Sequence, residues 1–283
     1  MPVFNGAKWL AEALDSILTQ SFSDFELVIC DNASSDETES ICRQTAADDP
    51  RIRYHRNHAN IGVHRNYNRT FELCVGTYFK WASCSDICLD GFFEKCVAVL
   101  EARPDVVLAY PKAAMLSSRT GAAADAEGYD DNLNIEDDRP ATRFIRYLNG
   151  ERLNNVMNGV IRAAALRQTA LHLRLPGSDI SMMAELILRG KFVEIPERLF
   201  VRRLDPETTD ILMNHSASRS LGYPGRPNNV QRVRLHSYRF VTTLWAPIAL
   251  SEKLRVWLYL LRRVAWLRGR AVRKLMRVVS TVR

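Results

Sequence analysis

The chain has 283 residues, 47% of them hydrophobic and 25% charged, with a formal net charge of +7. That balance excludes wholesale disorder, a collagen-like fibre and a disulfide scaffold, and it leaves room for one large domain or two modest ones. The charge is uneven: residues 253–283 carry ten Lys/Arg and no Asp/Glu, so the rest of the chain sums to −3.

Strand and helix signals alternate over the first 110 residues. Asn5 is a candidate cap for a helix with Leu10, Leu14, Ile17 and Leu18 on one face. Leu27 to Cys30 reads as a buried strand ended by Asp31-Asn32. Ser34 or Ser35 is then positioned to cap a helix whose first turn carries Asp36, Glu37 and Glu39. Ile52 to Tyr54 is a short strand, and Val63, Tyr67, Phe71 and Cys74 mark a helical stripe. Tyr78 to Ala82 reads as a strand, Phe92 to Leu100 as a helix and Val106 to Tyr110 as a strand. The alternation predicts an α/β fold: a mostly parallel central sheet with helices on both faces. Ligands of such sheets bind beyond the carboxyl ends of the strands. Asn5-Gly6, Asp31-Asn32 and Ser83-Cys84-Ser85-Asp86 each follow a strand, so three polar strand ends are expected to meet at one crevice.

Met1 to Phe4 has the character of a strand's last residues, and a chain that starts several residues late is the expectation there. Residues 112–140 read as a surface loop, either a solvated excursion or a lid, with seven acids between Asp125 and Asp138. Val156 to Ile161 is strand-like. Ile180, Met183, Ala184, Ile187 and Leu188 form a helical face with Gly190 as its C-terminal cap. Lys191 to Ile195 and Leu199 to Arg203 are strands around Pro196, residues 206–230 are loop-like, and residues 231–283 are helical. The six cysteines form no CxxC pair and read as reduced core thiols; Cys84 and Cys88 lack the second pair that a zinc site needs.

The opening string MPVFNGAKWLAEALDSILTQSFSDFELVICDNASSDET resembles that of family 2 glycosyltransferases of the GT-A fold. The resemblance continues through Asn60-Ile61-Gly62 and through Gly76-Thr77-Tyr78 to Asp86. It is strong over residues 1–110 and moderate over 155–210. It implies a Rossmann-like GT-A fold with a nucleotide-sugar-binding half (1–110), an acceptor-side half of the same domain (111–205), and a loop with a basic C-terminal helical extension (206–283). Pro2, Val3 and Phe4 would then face the base, and Asp31 and Asn32 the base or ribose. For Asp31-Asn32 a helix-opening turn is the competing role. Asn60 and Arg65 are candidates for the diphosphate, or simply serve their loop.

At the metal motif the chain departs from the family. Where members carry paired carboxylates, this sequence has Ser83-Cys84-Ser85-Asp86. Asp86 is the expected ligand of a divalent cation, Mg²⁺ or Mn²⁺, with Ser85 a weak neutral neighbour. The alternative is a degenerate site. Gly177-Ser178-Asp179 before a helix matches a member's acceptor-side segment, and Asp179 is the expected catalytic base, with helix capping as its other role. Glu185 is the reserve for that base, though its place mid-helix suits a structural or surface role. Arg202 and Arg203 are candidates to stabilise the departing diphosphate, and His215 to approach the metal.

The resemblance implies a glycosyltransferase, inverting, that moves a sugar from a nucleoside-diphosphate donor to a hydroxyl of a glycan or lipid-linked acceptor in surface polysaccharide biosynthesis. The alternative is a catalytically impaired nucleotide-sugar-binding or scaffold protein. The tail 253–283 mixes Trp, Tyr and basic residues, which fits a membrane surface and a peripheral place on the cytoplasmic face. No nucleic-acid module accompanies it. The longest uncharged stretch nearby, Phe240–Ser251, has 12 residues, too few for a span of roughly 20.

Overall fold

The structure, a computed structural model, describes residues 1–117, 127–130, 133–151, 153–204 and 229–264. The first unit is a parallel sheet in the order β1-β2-β3 (Pro2–Val3, Leu27–Asp31, Ile52–Arg56). α1 (Ala7–Leu18) and α2 (Thr38–Asp48) are its crossovers, and α3 (Val63–Leu73) leads from β3 to the second sheet. β2 is buried along its whole length, as a central parallel strand must be. The apolar spacing of α1 buries Leu10, Ala13, Leu14 and Ile17.

A second sheet runs in the order β4-β8-β6-β9-β5. Its strands are Tyr78–Phe79, Val160–Arg162, Val106–Ser117, Lys191–Leu204 and Ile87–Cys88 respectively, and β7 (Glu127–Tyr129) pairs with β6. Here β6 and β9 are parallel, whereas the other ladders are antiparallel. The α/β expectation holds, and its parallel part is β1–β3 plus the β6–β9 pair. β4 and β5 from the first half pair with β8 and β9 from the second, so the halves share one sheet. Around it lie α4 (Phe92–Ala102), α5 (Pro140–Gly150), the short α6 (Ala163–Leu166), α7 (Ser178–Leu186), α8 (Asn229–Trp245) and α9 (250–264). One core cluster packs α1 and α4 between the sheets. The other joins α3, α5 and α7 with Val256 and Leu260 of α9.

Several local expectations are corrected. Asn5 does not cap α1, whose N-cap is Gly6, and neither Ser34 nor Ser35 caps α2, whose N-cap is Glu37. Their side chains bond across the sheet instead, as described below. The strand expected over Tyr78–Ala82 stops at Phe79, and Val106–Tyr110 extends to Ser117. Residues 112–117 are therefore strand rather than loop, and Leu133 and Ile135 are core residues at 1% exposure each. Residues 118–126 and 131–132 of the expected surface loop, read as a solvated excursion or a lid, lie outside the described residues. Asn155–Asn158 is a 3-10 turn, and the strand there begins only at Val160. Lys191 to Leu204 is one strand: its register on β6 jumps from Pro111↔Ile195 to Lys112↔Arg198, so Pro196 sits in the irregularity, where a ladder bond is not demanded. α7 is capped at Ile187, not Gly190. All six cysteines are free thiols, and burial pushes Cys42 and Cys96 up to about 12.

Candidate active site

The turns after β1 and β2 are stitched together by side chains. Backbone N–H groups of Asn5, Gly6 and Ala7 donate to Ser34 Oγ (2.9 Å), Thr38 Oγ1 (2.9 Å) and Asp36 Oδ2 (3.1 Å). In return Ser35 N–H donates to Asn5 Oδ1 at 2.8 Å. Asn5 takes a left-handed φ of 49°, which Asn tolerates better than most residues. The third turn closes against this pair at Gly6, where an added Cβ would lie 2.9 Å from Cys84 Sγ. The strand ends expected to converge do so, and glycine is what lets the Ser83–Asp86 segment approach.

Pro2 and Val3 are buried and Phe4 is half-buried beside β2. Asp31 is fully buried with both oxygens engaged. Oδ1 accepts from Ser34 N–H (2.9 Å), and Oδ2 from Tyr54 Oη (2.8 Å) and Arg56 Nη1 (2.9 Å). Burial and this carboxylate push the Tyr54 phenol up. Asn32 Oδ1 accepts from Asn57 Nδ2 (3.0 Å) and Ile61 N–H (2.9 Å), while its Nδ2 donates to Asn60 Oδ1 at 2.8 Å. Asn60 Oδ1 also accepts from Gly62 N–H, which opens α3. The competing turn role of Asp31 and Asn32, and the loop role of Asn60, are thus filled. Arg65, on the first turn of α3, is exposed.

Asp86 is half-buried beside this edge, and burial raises its carboxyl above the ordinary value. Oδ1 accepts from the backbone N–H of Arg203 at 3.0 Å. Ser83 Oγ and Ser85 Oγ lie 3.0 Å apart beside it. Arg202 and Lys80 are the cations whose charge opposes the effect of burial. Arg203 itself is spent inside the protein: its Nη2 donates to Glu12 (2.5 Å), its Nε to Ser85 O (3.2 Å), and the guanidinium lies 3.9 Å over the Trp9 ring. The diphosphate role considered for Arg203 does not fit a side chain 3% exposed and already paired. Arg202 is half-buried and donates to Leu153 O at 2.7 Å.

That contact leads to the second carboxylate. Asp179 sits in the first turn of α7, after Gly177 at φ 75°, a conformation glycine adopts without strain. Its Oδ2 accepts from Asn154 Nδ2 at 2.8 Å, and Asn154 Oδ1 accepts from the buried Tyr147 Oη at 2.7 Å. The tyrosine fixes the amide orientation, which aims the NH₂ at Asp179. Nearby, burial and then the Asp179 charge raise Glu151 to about 6. His64 Nδ1 lies 3.5 Å from Ser178 Oγ, and burial lowers its pKa. Glu185 is structural: it accepts from Tyr238 Oη (2.6 Å) and Ala170 N–H (3.2 Å).

Sequence reasoning missed Tyr147, Asn154, Lys80 and His64. A lysine inside the apolar run Tyr78–Ala82 was the one legible signal, since burying it demands partners; Nζ donates to Asn158 O at 2.5 Å and lies over Phe92 and Phe200. His215 and residues 265–283 of the tail lie outside the described residues.

As to a metal, no group of three or more His, Cys, Asp or Glu among the described residues is arranged to hold one. Asp86 with two serines fits an ion shared with diphosphate oxygens and water, as Mg²⁺ prefers, and not one caged by protein alone.

The molecule is thus an α/β protein whose parallel strands end in a polar crevice, with a half-buried carboxylate on a second helix beyond it. Solved structures with this fold include Staphylococcus aureus TarS 1–349 in complex with UDP, at TM-score 0.66 and 15% identity over 93% of this chain and 69% of that one. The complex of TarS 1–349 with UDP-GlcNAc gives TM-score 0.63 at 14% identity, over 89% of this chain and 67% of that one. These are GT-A glycosyltransferase folds. The family model "Glycosyl transferase family 2" matches residues 1–172, and the chain belongs to that family. Among curated proteins it is 35% identical over 102 residues to Bacillus subtilis EpsE, named as a glycosyltransferase, covering 36% of this chain and 37% of EpsE. It is 33% identical over 92 residues to the GalNAc(5)-diNAcBac-PP-undecaprenol beta-1,3-glucosyltransferase of Campylobacter jejuni, covering 32% of this chain and 30% of that one. The chain spans about a third of the length of these relatives.

Proposed function

We propose that the chain is an inverting glycosyltransferase, moving a sugar from a nucleoside-diphosphate donor to a hydroxyl of a glycan or lipid-linked acceptor in surface polysaccharide biosynthesis. One arrangement carries this reading. Arg203 N–H holds Asp86, Arg202 holds the 153–154 turn, and that turn holds Asp179, so the end of β9 ties the strand-end crevice to a carboxylate on the other side.

The nucleotide lies along Pro2, Val3 and Phe4, against the network of Asp31, Asn32 and Asn60, within residues 1–110. The acceptor enters from the side of residues 111–205. Its hydroxyl attacks the anomeric carbon in line with the diphosphate. As the new C–O bond forms, Asp179 takes the hydroxyl proton while Oδ2 stays bonded to Asn154. The bond from the anomeric carbon to the β-phosphate oxygen breaks, and its electron pair leaves with the nucleoside diphosphate. Arg202 and Arg65 supply positive charge toward the departing group. A divalent cation, Mg²⁺ or Mn²⁺, would be held by Asp86, with Ser85 at its side, and supplies charge neutralisation at the diphosphate. The undecaprenol-linked chemistry in the name of the Campylobacter relative supports a lipid-linked acceptor. The basic tail 253–283 supports a peripheral place on the cytoplasmic face of the membrane. No described helix is long and apolar enough to cross a membrane.

The lone carboxylate at Ser83–Asp86 favours a second reading, a nucleotide-sugar-binding scaffold. Donor turnover separates the two. The enzyme reading expects Asp179→Asn to lower turnover by at least about a hundredfold with donor binding retained. Equal turnover in the two forms removes Asp179 as the base, and no turnover in either form or in Ser85→Asp favours the scaffold.

A further inference from the structure

α8 is amphipathic the wrong way round for a helix of a globular protein. Its inner face holds Tyr238, Arg239, Thr242 and Thr243 beside Leu235. Tyr238 Oη and Arg239 Nε reach Glu185 (2.6 Å) and Ser181 (3.2 Å) on α7. Its outer face presents Val230, Val233, Val241, Leu244 and Trp245, the last at 80% exposure, with the exposed Arg234 and Ser237 among them. The chain then turns at residues 246–249 into α9. There Val256 and Leu260 are buried, while Leu250, Leu254, Leu258 and Leu261 are 49–66% exposed. Steps of four, four and three place these leucines on one stripe, with the exposed Arg255 and Arg262 along its edge. The two helices are joined by Lys253 Nζ to Leu244 O (2.5 Å) and Trp257 Nε1 to Phe240 O (3.4 Å), so both apolar faces belong to one hairpin.

Scattered exposed leucines are ordinary, but an ordered leucine stripe on one helix with exposed valines, a leucine and a tryptophan on its neighbour calls for a cover. We propose that this outer face of the α8–α9 hairpin lies in the interface of an anionic lipid surface, with leucine and tryptophan at the acyl boundary and arginines among the headgroups. The proposal rests on the membrane-facing reading above and assigns the anchoring to specific apolar side chains rather than to charge alone. Charge selects the occupant. Ten basic residues over 253–283 with no acid complement an anionic surface. A second copy would instead bring two such tails together. Because the inner face of α8 grips α7, seating the hairpin also fixes Asp179, in the first turn of α7, relative to the surface where a lipid-linked acceptor would stand.

The test is co-sedimentation of the full chain with phosphatidylcholine vesicles containing about a quarter phosphatidylglycerol, with pure phosphatidylcholine as comparison. Expected are binding to the anionic vesicles and a loss of at least about tenfold in the double variant Leu254→Glu/Leu258→Glu, with circular dichroism unchanged. The single variant Trp245→Glu, on the other helix, should weaken binding in the same direction and guards against a folding defect. Unchanged binding of the variants overturns the proposal in favour of the basic tail alone. No binding by the parent chain also overturns it, and a dimer split by the same substitutions would make a second copy the cover. Nucleoside-diphosphate binding, measured on the same samples without vesicles, keeps failure of the surface distinct from failure of the transferase reading.

Discussion

At the scale of residues, the proposed base is set by a chain of two neutral partners. Tyr147 orients Asn154, and Asn154 donates to Asp179. A hydrogen bond to a carboxylate fixes its direction. Asn154 has φ 50°, so Asn154→Gly removes the amide while leaving the backbone unstrained. The expected result is a fall in kcat of about tenfold or more with little change in KM for the donor. An unchanged kcat would make Asn154 a structural residue only. Asp179 was legible in the sequence because a carboxylate after Gly177-Ser178 opens a helix. Asn154 was not, because its partner lies 25 residues away and nothing local marks it. Asp31 teaches the converse. Its position at a strand end was legible, but its burial and its three partners were not, since two of them come from β3.

At the scale of elements, the helices and most strands over residues 1–110 followed from periodicity, while the short β5 and the helix caps did not. The polar groups of Asn5, Ser34 and Asp36 bond between two turns about 30 residues apart. A local rule assigns each to its own helix and cannot see the neighbouring strand end. Packing near α7 makes a prediction of its own. His172 lies between Tyr67 and Trp81, with ring centroids at 5.1 and 5.2 Å, and neither of its ring nitrogens has a hydrogen-bond partner. Burial lowers its pKa from 6.5 to about 3. The folded state therefore binds fewer protons at this site, and the stability it contributes is complete above pH 6.5 and is lost as pH falls toward 3. His236, lowered by burial to about 4, acts in the same direction. Glu151, raised to about 6, acts oppositely: its ionisation costs stability as pH rises from 4.5 through 6. In urea titrations across this range, His172→Phe should lose stability less steeply on acidification than the parent chain. Equal slopes would contradict the burial of a neutral imidazole.

At the scale of the whole molecule, the second sheet takes strands from both halves of the chain, and the end of β9 bonds to Asp86 and to the turn at Leu153. The α/β class and the three converging strand ends were legible from the sequence. The antiparallel ladders of the second sheet were not, because strands of two or three residues such as β4, β5 and β8 carry no orientation signal. The separation of a mildly acidic body from a basic tail was also legible, though the outward apolar face of α8 and α9 needed the packing to reveal it.

The central claim is that the crevice at Asn5, Asp31–Asp36 and Ser83–Asp86 takes a nucleoside-diphosphate sugar with one protein carboxylate toward a shared metal. Calorimetric titration of the chain with UDP, GDP, dTDP and CMP, each with and without Mn²⁺, tests it most directly. The account predicts saturable binding of one nucleoside diphosphate, strengthened by Mn²⁺ and stripped of that strengthening in Asp86→Asn. A folded chain that binds none of the four, with or without the metal, would contradict it.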